Sequence, residues 1–352
     1  MDEGVRLFYD RINKPTYYQF GAYQLDIELL RALFLDGEDK PPRLKNETWQ
    51  GWTLNQLANT YGQTGQPRLA ADVLTIAIPI AEKLGEKGNV ATGLANVAIH
   101  QFITGSLSAA ENNLCQSIDL CREIPDEFVE AIACKELARV LLYRGEWQET
   151  EQKLITSQQV FDKYDATKTN SISVVRAYRA QLLISIGRFD EALKFADESL
   201  NVAIIPNRSV YGGERDIIRA HWILGSAYRM NNEMTRAEEN LAKALNLCRQ
   251  INMVDHEADI LLDIARLRYA QNDFKDAQEK AEEALIITER SGYVLQGADV
   301  NLFLAQYALE QEKDKAKAKQ YAEEAKKLAT CDGPPYYYKV AYEEAERLLE
   351  KL

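Results

Sequence analysis

The chain has 352 residues, of which 46% are hydrophobic and 27% are charged, values typical of a folded protein and not of a disordered one. The formal net charge of −12 argues against a general affinity for nucleic acid or anionic membranes, since both require basic surface. One hydrophobic core is unusual at this length, whereas an array of repeated units avoids the size limit because each unit packs only on its neighbours.

Residues 1–46 predict a degenerate helical hairpin followed by a loop. One apolar-periodic segment passes through Val5, and a second passes through Leu25 and Leu29. The polar segment 36–47, DGEDKPPRLKNE, contains a Pro-Pro pair and predicts the loop. The chain begins without a basic-then-apolar leader, and no run of about 18 apolar residues occurs. We therefore expect a cytoplasmic protein that does not span a membrane.

Three kinds of position then recur together along the chain. A small residue recurs at steps of 40, 40, 42, 45, 40 and 40. Seven positions after each of the first six small residues stands Gly or Asn. Five positions further on stands another small residue, or Thr. The three sets are, in this order, Ala58, Ala98, Ala138, Ala180, Gly225, Ala265 and Ala305; Gly65, Gly105, Gly145, Gly187, Asn232 and Asn272; and Ala70, Ala110, Thr150, Ala192, Ala237 and Ala277.

Each recurrent position has a physical reason in a pair of antiparallel helices. The first small residue lets the two helices approach closely, and the second faces back onto the first helix. Gly adopts the left-handed conformation of a tight turn most readily, and Asn is the usual second choice. The clearest unit is 179–200, which predicts helix, turn at Gly187 and helix, with Phe189, Ala192 and Ala196 forming the apolar stripe of the second helix.

The repeat pattern resembles the tetratricopeptide repeat. The matching motifs are Leu57-Ala58-x-x-Tyr61-x-x-x-Gly65 followed by Ala70, Leu74 and Ala77, and Leu224-Gly225-x-x-Tyr228 followed by Ala237, Leu241 and Ala244. The usual repeat is about 34 residues long, and the longer repeats here resemble those in the sensor domains of STAND signalling ATPases and in kinesin light chains. The resemblance covers about residues 47–330. It implies an all-α α-solenoid, a right-handed superhelix of about seven hairpins with terminal capping helices.

The C-terminal region, residues 331–352, predicts a cap for this array. The seventh repeat is recognisable, with one residue inserted around its turn. Gly333-Pro334-Pro335 then breaks the chain, and a helix from Tyr336 to Leu352 is expected to cover the last hydrophobic face.

No motif in the sequence indicates catalysis or a cofactor. P-loop, dinucleotide-binding and nucleophile-elbow patterns are missing, and Gly212-Gly213 reads as a loop because no strand precedes it. His100, His221 and His256 lie in separate units, and none has a second histidine at helical spacing that would make a metal pair. The five cysteines never form C-x-x-C, which favours buried thiols over a disulfide framework or zinc site. We predict that the protein is not an enzyme and has no cofactor or metal site.

The resemblance implies one functional surface, the concave groove, which is lined mainly by the first helix of each hairpin. Arg and Asn offer fixed donors to a carboxylate or a peptide backbone, and Trp and Tyr are common anchors at interfaces. The alternative is that these side chains pair with neighbouring Asp and Glu residues. The residues predicted to bind a partner are Asn55, Asn59, Lys135, Arg139, Gln181, Arg219, Trp222, Arg229, Arg266 and Tyr269.

These features predict a non-catalytic module that binds a protein, peptide or small ligand in its groove. If the resemblance to signalling ATPases holds, the module is their ligand sensor, and the chain is then a piece of a larger protein. The alternative is a self-associating scaffold that acts through the array ends, where Tyr17-Tyr18 and Tyr336-Tyr337-Tyr338 cluster. The oligomeric state does not follow from the sequence.

Overall fold

The computed structural model of the protein describes residues 1–164, 169–205 and 213–352. In these ranges every regular element is helical, apart from one isolated bridge between Gly333 and Tyr336. The helices form consecutive antiparallel hairpins that stack on one another. The predicted all-α α-solenoid is therefore confirmed.

The N-terminal segment folds as four short helical pieces. Helix α1 (Asp2–Leu7) continues into π-helical turns at Phe8–Ile12 and Lys14–Gln19, and α2 (Tyr23–Arg31) follows. Its large side chains are unevenly buried: Val5 and Leu30 are in the core, whereas Phe20 is 67% exposed.

Seven hairpins and a final helix make up the rest of the array. They are α3 (Glu47–Gln63) with α4 (Pro67–Lys83), α5 (Lys87–Ile103) with α6 (Leu107–Glu123), α7 (Glu127–Tyr143) with α8 (Trp147–Phe161), α9 (Ser171–Ser185) with α10 (Phe189–Ala203), α11 (Gly213–Met230) with α12 (Met234–Gln250), α13 (Glu257–Ala270) with α14 (Phe274–Ser291), α15 (Val294–Tyr307) with α16 (Lys315–Thr330), and α17 (Lys339–Leu349).

The length of the repeat follows from the length of its helices. In the first units two helices of 17 residues are joined by three-residue turns, which accounts for the 40-residue step. Gly213, predicted to lie in a loop, is instead the first residue of α11, where no intrahelical acceptor is needed for its N–H. Gly212 lies outside the described residues.

The predicted turn chemistry is confirmed at all six turns. The two asparagines, Asn232 and Asn272, have φ of +59° and +64°, in the left-handed region that favours Gly and Asn. The four glycines have φ between +75° and +80°; they are Gly65, Gly105, Gly145 and Gly187. The predicted close approach of the two helices is clearest at Gly225, where a methyl group would lie 2.7 Å from Cγ of Leu241.

The seventh hairpin accommodates its inserted residue in a π-helical turn. Ala308–Glu312 is π-helical, a conformation that places an additional residue in a helical turn, and Lys313 then takes the left-handed position with φ of +58°. The predicted last helix starts three residues later than expected, at Lys339 instead of Tyr336. The backbone of Gly333 and Tyr336 pairs across a tight turn, so the first tyrosines belong to that turn.

The two helices of each hairpin form an inner and an outer layer. Helix α7 buries ten of its residues on both faces, whereas its partner α8 buries four on one stripe. The first helices of the hairpins are therefore enclosed between the second helices and the axis of the superhelix. Polar side chains on these first helices that point to the axis form the inner surface.

The first part of the superhelix also contacts the last part, and we call this contact the closure. It is made by the turns of the first three hairpins, which touch residues near the starts of α13, α15 and α17. A Cβ atom on Gly65 would lie 3.0 Å from Cγ1 of Val254, one on Gly105 2.7 Å from Cγ1 of Val294, and one on Gly145 2.8 Å from Cδ of Lys339. Hydrogen bonds fix this closure.

Several hydrogen bonds cross between the superhelical turns, among them one from Asn252 Nδ2 to the Gly21 carbonyl at 3.3 Å. Val254 N–H donates to the Gln63 carbonyl at 3.0 Å, and Ser108 N–H donates to Oδ2 of Asp332 at 2.8 Å. Arg144 Nε–H donates to the Pro335 carbonyl at 3.1 Å. The arrangement is thus not an open rod, since residues almost 200 positions apart in sequence touch each other.

Candidate functional site in the concave groove

The inner surface is organised by carboxylates that each hold several donors, and Asp263 on α13 is the first of them. Its Oδ1 lies 3.5 Å from Nη2 of Arg229 and 3.2 Å from Nη1 of Arg266. Its Oδ2 accepts hydrogen bonds from Trp222 Nε1, at 2.8 Å, and from the Ser226 hydroxyl. Burial by itself would raise the pKa of Asp263, but the two guanidinium groups lower it below its ordinary value.

Glu136 on α7 has the same role further along the axis. It is ion-paired with Lys135 at 2.7 Å and lies 3.6 Å from Nη1 of Arg139. Arg139 stacks its guanidinium 4.5 Å from the ring centre of Phe102. Burial opposes ionisation of Glu136, yet the two cations outweigh it and bring its pKa to about 2.

Five of the ten predicted partner-binding residues are committed to such ion pairs. Lys135 and Arg139 hold Glu136, Arg219 lies 3.3 Å from Asp216, and Arg229 and Arg266 hold Asp263. Lys135 and Arg219 are each only 7% exposed, so their charged ends face protein. These five residues thus pair with neighbouring Asp and Glu, which is the alternative stated in the sequence analysis.

Two adjoining cavities lie beside the arginines that pair with Asp263, and together we call them the groove mouth. The smaller, of about 200 Å³, is lined by Gln181, Trp222 and Tyr338 among others, and the larger, of about 620 Å³, by Tyr269, Phe303, Arg347 and Lys351 among others. Arg229 and Arg266 line both cavities. The structure thus brings together Gln181, Trp222, Arg229, Arg266 and Tyr269.

The two predicted asparagines lie elsewhere. Asn55 lines a cavity of about 290 Å³ between α3, α4 and α5, and its Oδ1 accepts a hydrogen bond from Asn96 at 3.1 Å. Asn59 lines a cavity of about 140 Å³ between the two superhelical turns. Neither residue lines the groove mouth.

Sequence reasoning missed the basic residues of the cap and the inner acidic residues. Arg347 and Lys351 reach the larger cavity from α17 and from the residues just after it. Asp259 and Asp299 occupy the same register six residues before the small residues Ala265 and Ala305, a 40-residue spacing that the sequence displays. Asp299 accepts a hydrogen bond from Tyr338 at 3.0 Å, which places the C-terminal tyrosines against this surface.

Asp259 supplies a prediction about pH. Burial, followed by the nearby charges of Asp299 and Asp263, raises its pKa to about 8, although Gln296 and Arg139 act in the other direction. Since an unfolded Asp titrates near about 3.9, the folded chain holds this proton across the intervening range, and its stability falls as pH rises through that range. Asn cannot ionise, so Asp259→Asn is expected to raise the melting temperature more at pH 8 than at pH 5.

Melting curves of the wild type and Asp259→Asn from pH 5 to pH 8 check this expectation. Glu279→Gln is the control, because Glu279 is exposed and its ion pair, at 3.7 Å, is with Lys275, which is also exposed. An equal gain at both pH values would contradict a raised pKa of Asp259.

The histidines are packed into the protein. Burial lowers the pKa of His100 to about 4 and that of His256 to about 3, so both are neutral at pH 7. Across the residues that the structure describes, no cluster of three or more His, Cys, Asp and Glu side chains is arranged to hold a metal ion. None of the described helices combines the length and the apolar character needed to cross a membrane.

Paired helices, left-handed Gly or Asn turns and small residues at the helix contacts define a tetratricopeptide-like α-solenoid with a charged inner groove. Comparison with protein families agrees, since residues 216–290, which cover most of the fifth and all but the end of the sixth hairpin, match the tetratricopeptide repeat. A search of curated proteins found no significant match.

Solved structures include three similar chains, two of which match this chain over nearly its whole length. A Rap protein complexed with Competence and Sporulation Factor is 12% identical, with a TM-score of 0.63 over 100% of this chain and 96% of that one. Aspartyl phosphate phosphatase F from Bacillus subtilis is 10% identical, with a TM-score of 0.51 over 99% and 94%. The apo form of RapI is 16% identical, with a TM-score of 0.50 over 74% and 99%. At these identities the likeness is one of fold.

Proposed function

We propose that the protein is a non-catalytic interaction module that binds a segment of a peptide or protein in the groove mouth. The observation that carries this proposal is the convergence of two cavities on Arg229 and Arg266, with aromatic and apolar side chains from the inner helices around them. Concave sites of several hundred cubic ångströms with an apolar floor and a few fixed polar groups are the usual form of ligand sites.

The chemistry of the larger cavity suits an extended segment that carries acidic and apolar residues. Leu302, Phe303 and Leu348 provide apolar surface. Glu310 and Glu344 also line this cavity, but they are outnumbered by the four basic lining residues, Arg229, Arg266, Arg347 and Lys351. The Tyr269 hydroxyl already donates to Glu310 at 2.5 Å, which fixes its ring as an anchor at the edge of the cavity. Arg229 and Arg266 present donors that Asp263 does not saturate.

The structural comparisons support this proposal in one respect. One of the similar chains, the Rap protein, was solved in complex with Competence and Sporulation Factor, and the likeness of fold covers 96% of that chain. The finer proposal, a sensor of a signalling ATPase, rests on the repeat length of 40 to 45 residues alone. The three similar structures described above are those of two Rap proteins and an aspartyl phosphate phosphatase.

The proposal is tested with peptides selected on the immobilised wild-type chain from a random-peptide phage library. The double variant Tyr269→Ala, Arg347→Glu is expected to weaken the selected peptides by about tenfold or more, because an aromatic anchor and a rim charge are lost. Arg229 and Arg266 are left unchanged, since their replacement would leave Asp263 without its partners. Affinity is measured by fluorescence anisotropy.

Arg290→Glu is the matched control, because it makes the same charge change on an exposed residue at the end of α14, in the outer layer. Circular dichroism establishes that each variant remains folded. Peptides that bind the double variant and the control as tightly as the wild type would overturn the groove mouth as the binding surface.

The self-associating scaffold is favoured by one observation, the apolar N-terminal end. Leu25 and Leu29 of α2 are 46% and 40% exposed, and Leu35 just beyond is 60% exposed, where the terminal unit of an array normally presents a polar face. Light scattering separates the two functions, since a scaffold requires a mass that grows with concentration and the groove proposal does not.

A further inference from the structure

A polar cavity lies where the two turns of the superhelix meet, and we call it the inter-turn cavity. It has a volume of about 140 Å³, well above the roughly 10–15 Å³ that one water molecule needs. Helices α3 and α5 form one wall, and α11 with the starts of α13 and α15 forms the other. Its polar lining residues are Tyr17, Asn59, Gln63, Asn96, His100, Arg215, Asp255 and Tyr293.

Several of the lining residues carry buried polar atoms that lack a hydrogen-bond partner among the described residues. These atoms are Nδ1 of His100, Nε of Arg215, Oδ1 of Asp255 and the hydroxyl of Tyr293. Tyr293 is 2% exposed and Asp255 6%. Unpaired buried polar atoms cost free energy, so four of them around one cavity indicate that the cavity holds water or another polar molecule.

The charges of the lining restrict what that molecule can be. Arg215 and Asp255 form an ion pair, with 2.5 Å between Nη2 and Oδ2, so the wall is neutral overall. Each partner keeps one atom for a ligand: Arg215 keeps the Nε donor and Asp255 keeps the Oδ1 acceptor. The side chain of Arg215 is 38% exposed, so the cavity opens to solvent beside Arg215. A zwitterion has no net charge, like the lining, and its two charged groups would match both open atoms.

We propose that the inter-turn cavity binds a small α-amino acid with a side chain no larger than that of serine. Its carboxylate accepts from Arg215 Nε and from the Tyr293 hydroxyl, and its ammonium group donates to Oδ1 of Asp255. A cavity of about 150 Å³ holds benzene, a molecule of six heavy atoms. Alanine has the same number of heavy atoms. The site is separate from the groove mouth and does not depend on the function proposed for it.

The position of the cavity gives the ligand a structural consequence. Next to it, Val254 N–H donates to the Gln63 carbonyl across the two superhelical turns, and Gln63 also lines the cavity. A bound amino acid would contact both turns and hold them together. Binding is therefore expected to slow hydrogen exchange at the Val254 amide.

The test titrates the full chain with L-alanine by calorimetry, followed by thermal melting and hydrogen exchange. Propionate and ethylamine serve as comparators, since each keeps only one of the two charged groups. Alanine is expected to bind, to raise the melting temperature and to protect Val254, while neither comparator does so at the same concentration.

Two variants locate the site. Asp255→Asn and Tyr293→Phe are each expected to weaken alanine binding by about tenfold or more, because each removes a partner of the ligand. If Asp255→Asn does not fold, Tyr293→Phe decides, and Tyr321→Phe on α16 is its control. The proposal is overturned if alanine has no effect, if propionate or ethylamine acts equally, or if Tyr293→Phe binds alanine like the wild type.

Discussion

Asp263→Ala is expected to lower the free energy of unfolding by about 3 kcal/mol, because it removes one member of a buried ion-pair network and leaves the others uncompensated. Arg229 and Arg266 lose their shared carboxylate, and the Trp222 indole N–H loses its acceptor. The side chain of Arg229 is 18% exposed and that of Arg266 36%, so water replaces only part of what is lost. The inner surface around the groove mouth is expected to loosen as a consequence.

Chemical denaturation at pH 7 and at acid pH measures this effect. The two cations lower the pKa of Asp263, so its contribution is complete above about pH 3.9 and is lost as pH falls through the lower folded value. The difference between the wild type and the variant is therefore expected to shrink in acid. Glu279→Ala, which removes an exposed partner of Lys275, is the control and should change stability by less than about 0.5 kcal/mol. Equal losses from both substitutions would rule out a central role for Asp263.

The second large effect is expected from exchanging a turn glycine for asparagine, and it depends on which turn is changed. Gly105→Asn should destabilise the protein by about 2 kcal/mol, since its Cβ would lie 2.7 Å from Cγ1 of Val294. Gly187→Asn should stay within about 0.5 kcal/mol, because nothing lies within 4 Å of its Cβ position. Both glycines have nearly the same φ, +80° and +77°, so backbone strain is matched.

Denaturation midpoints of the two variants provide the comparison, and hydrogen exchange at Ser108 shows where the damage occurs. The Ser108 amide donates to Asp332 on the other superhelical turn, so its exchange should accelerate in Gly105→Asn and remain unchanged in Gly187→Asn. If the two variants are equally stable, the first three turns do not support the closure in the way described.

The solenoid could be predicted from the sequence because its determinants are local. A left-handed turn residue, a small residue seven positions before it and another five positions after it decide the geometry of one hairpin. Asn232 and Asn272 stand where earlier units have Gly. That replacement was sufficient to indicate a turn, and the φ values of both residues agree. The inserted residue of the last hairpin was visible too, although its accommodation by a π-helical turn was not.

The accessible groove was harder to predict, because it depends on which charges are already neutralised. Arg219 and Arg266 follow an Asp by three positions, and Arg139 follows a Glu by three, a spacing that places each pair on one face of a helix. That signal was present in the sequence and argued for internal pairing. The cap residues Arg347 and Lys351 carried no such signal, since only the path of α17 brings them to the cavity.

The contact between superhelical turns could not be predicted. It joins a hairpin turn to a residue near the start of a distant helix, and these two kinds of position have no relation within one repeat. It does explain a detail of the sequence in retrospect. Gly occupies the turns of the first three hairpins, where another part of the chain covers them. Asn appears only at turn positions that are exposed, Asn232 and Asn272. An Asn side chain fits where the space beyond the turn is open.

The closure has a consequence for how the chain can vary in evolution. An open array of stacked hairpins is modular, so a unit can be gained or lost with little effect beyond its two neighbours. Here the three turn glycines, Gly65, Gly105 and Gly145, each contact a particular residue near the start of a later helix. Deleting one hairpin between these glycines and those later helices would therefore displace all three contacts at once. The copy number of the hairpins is thereby constrained, and changes in length are expected in the loops between units instead.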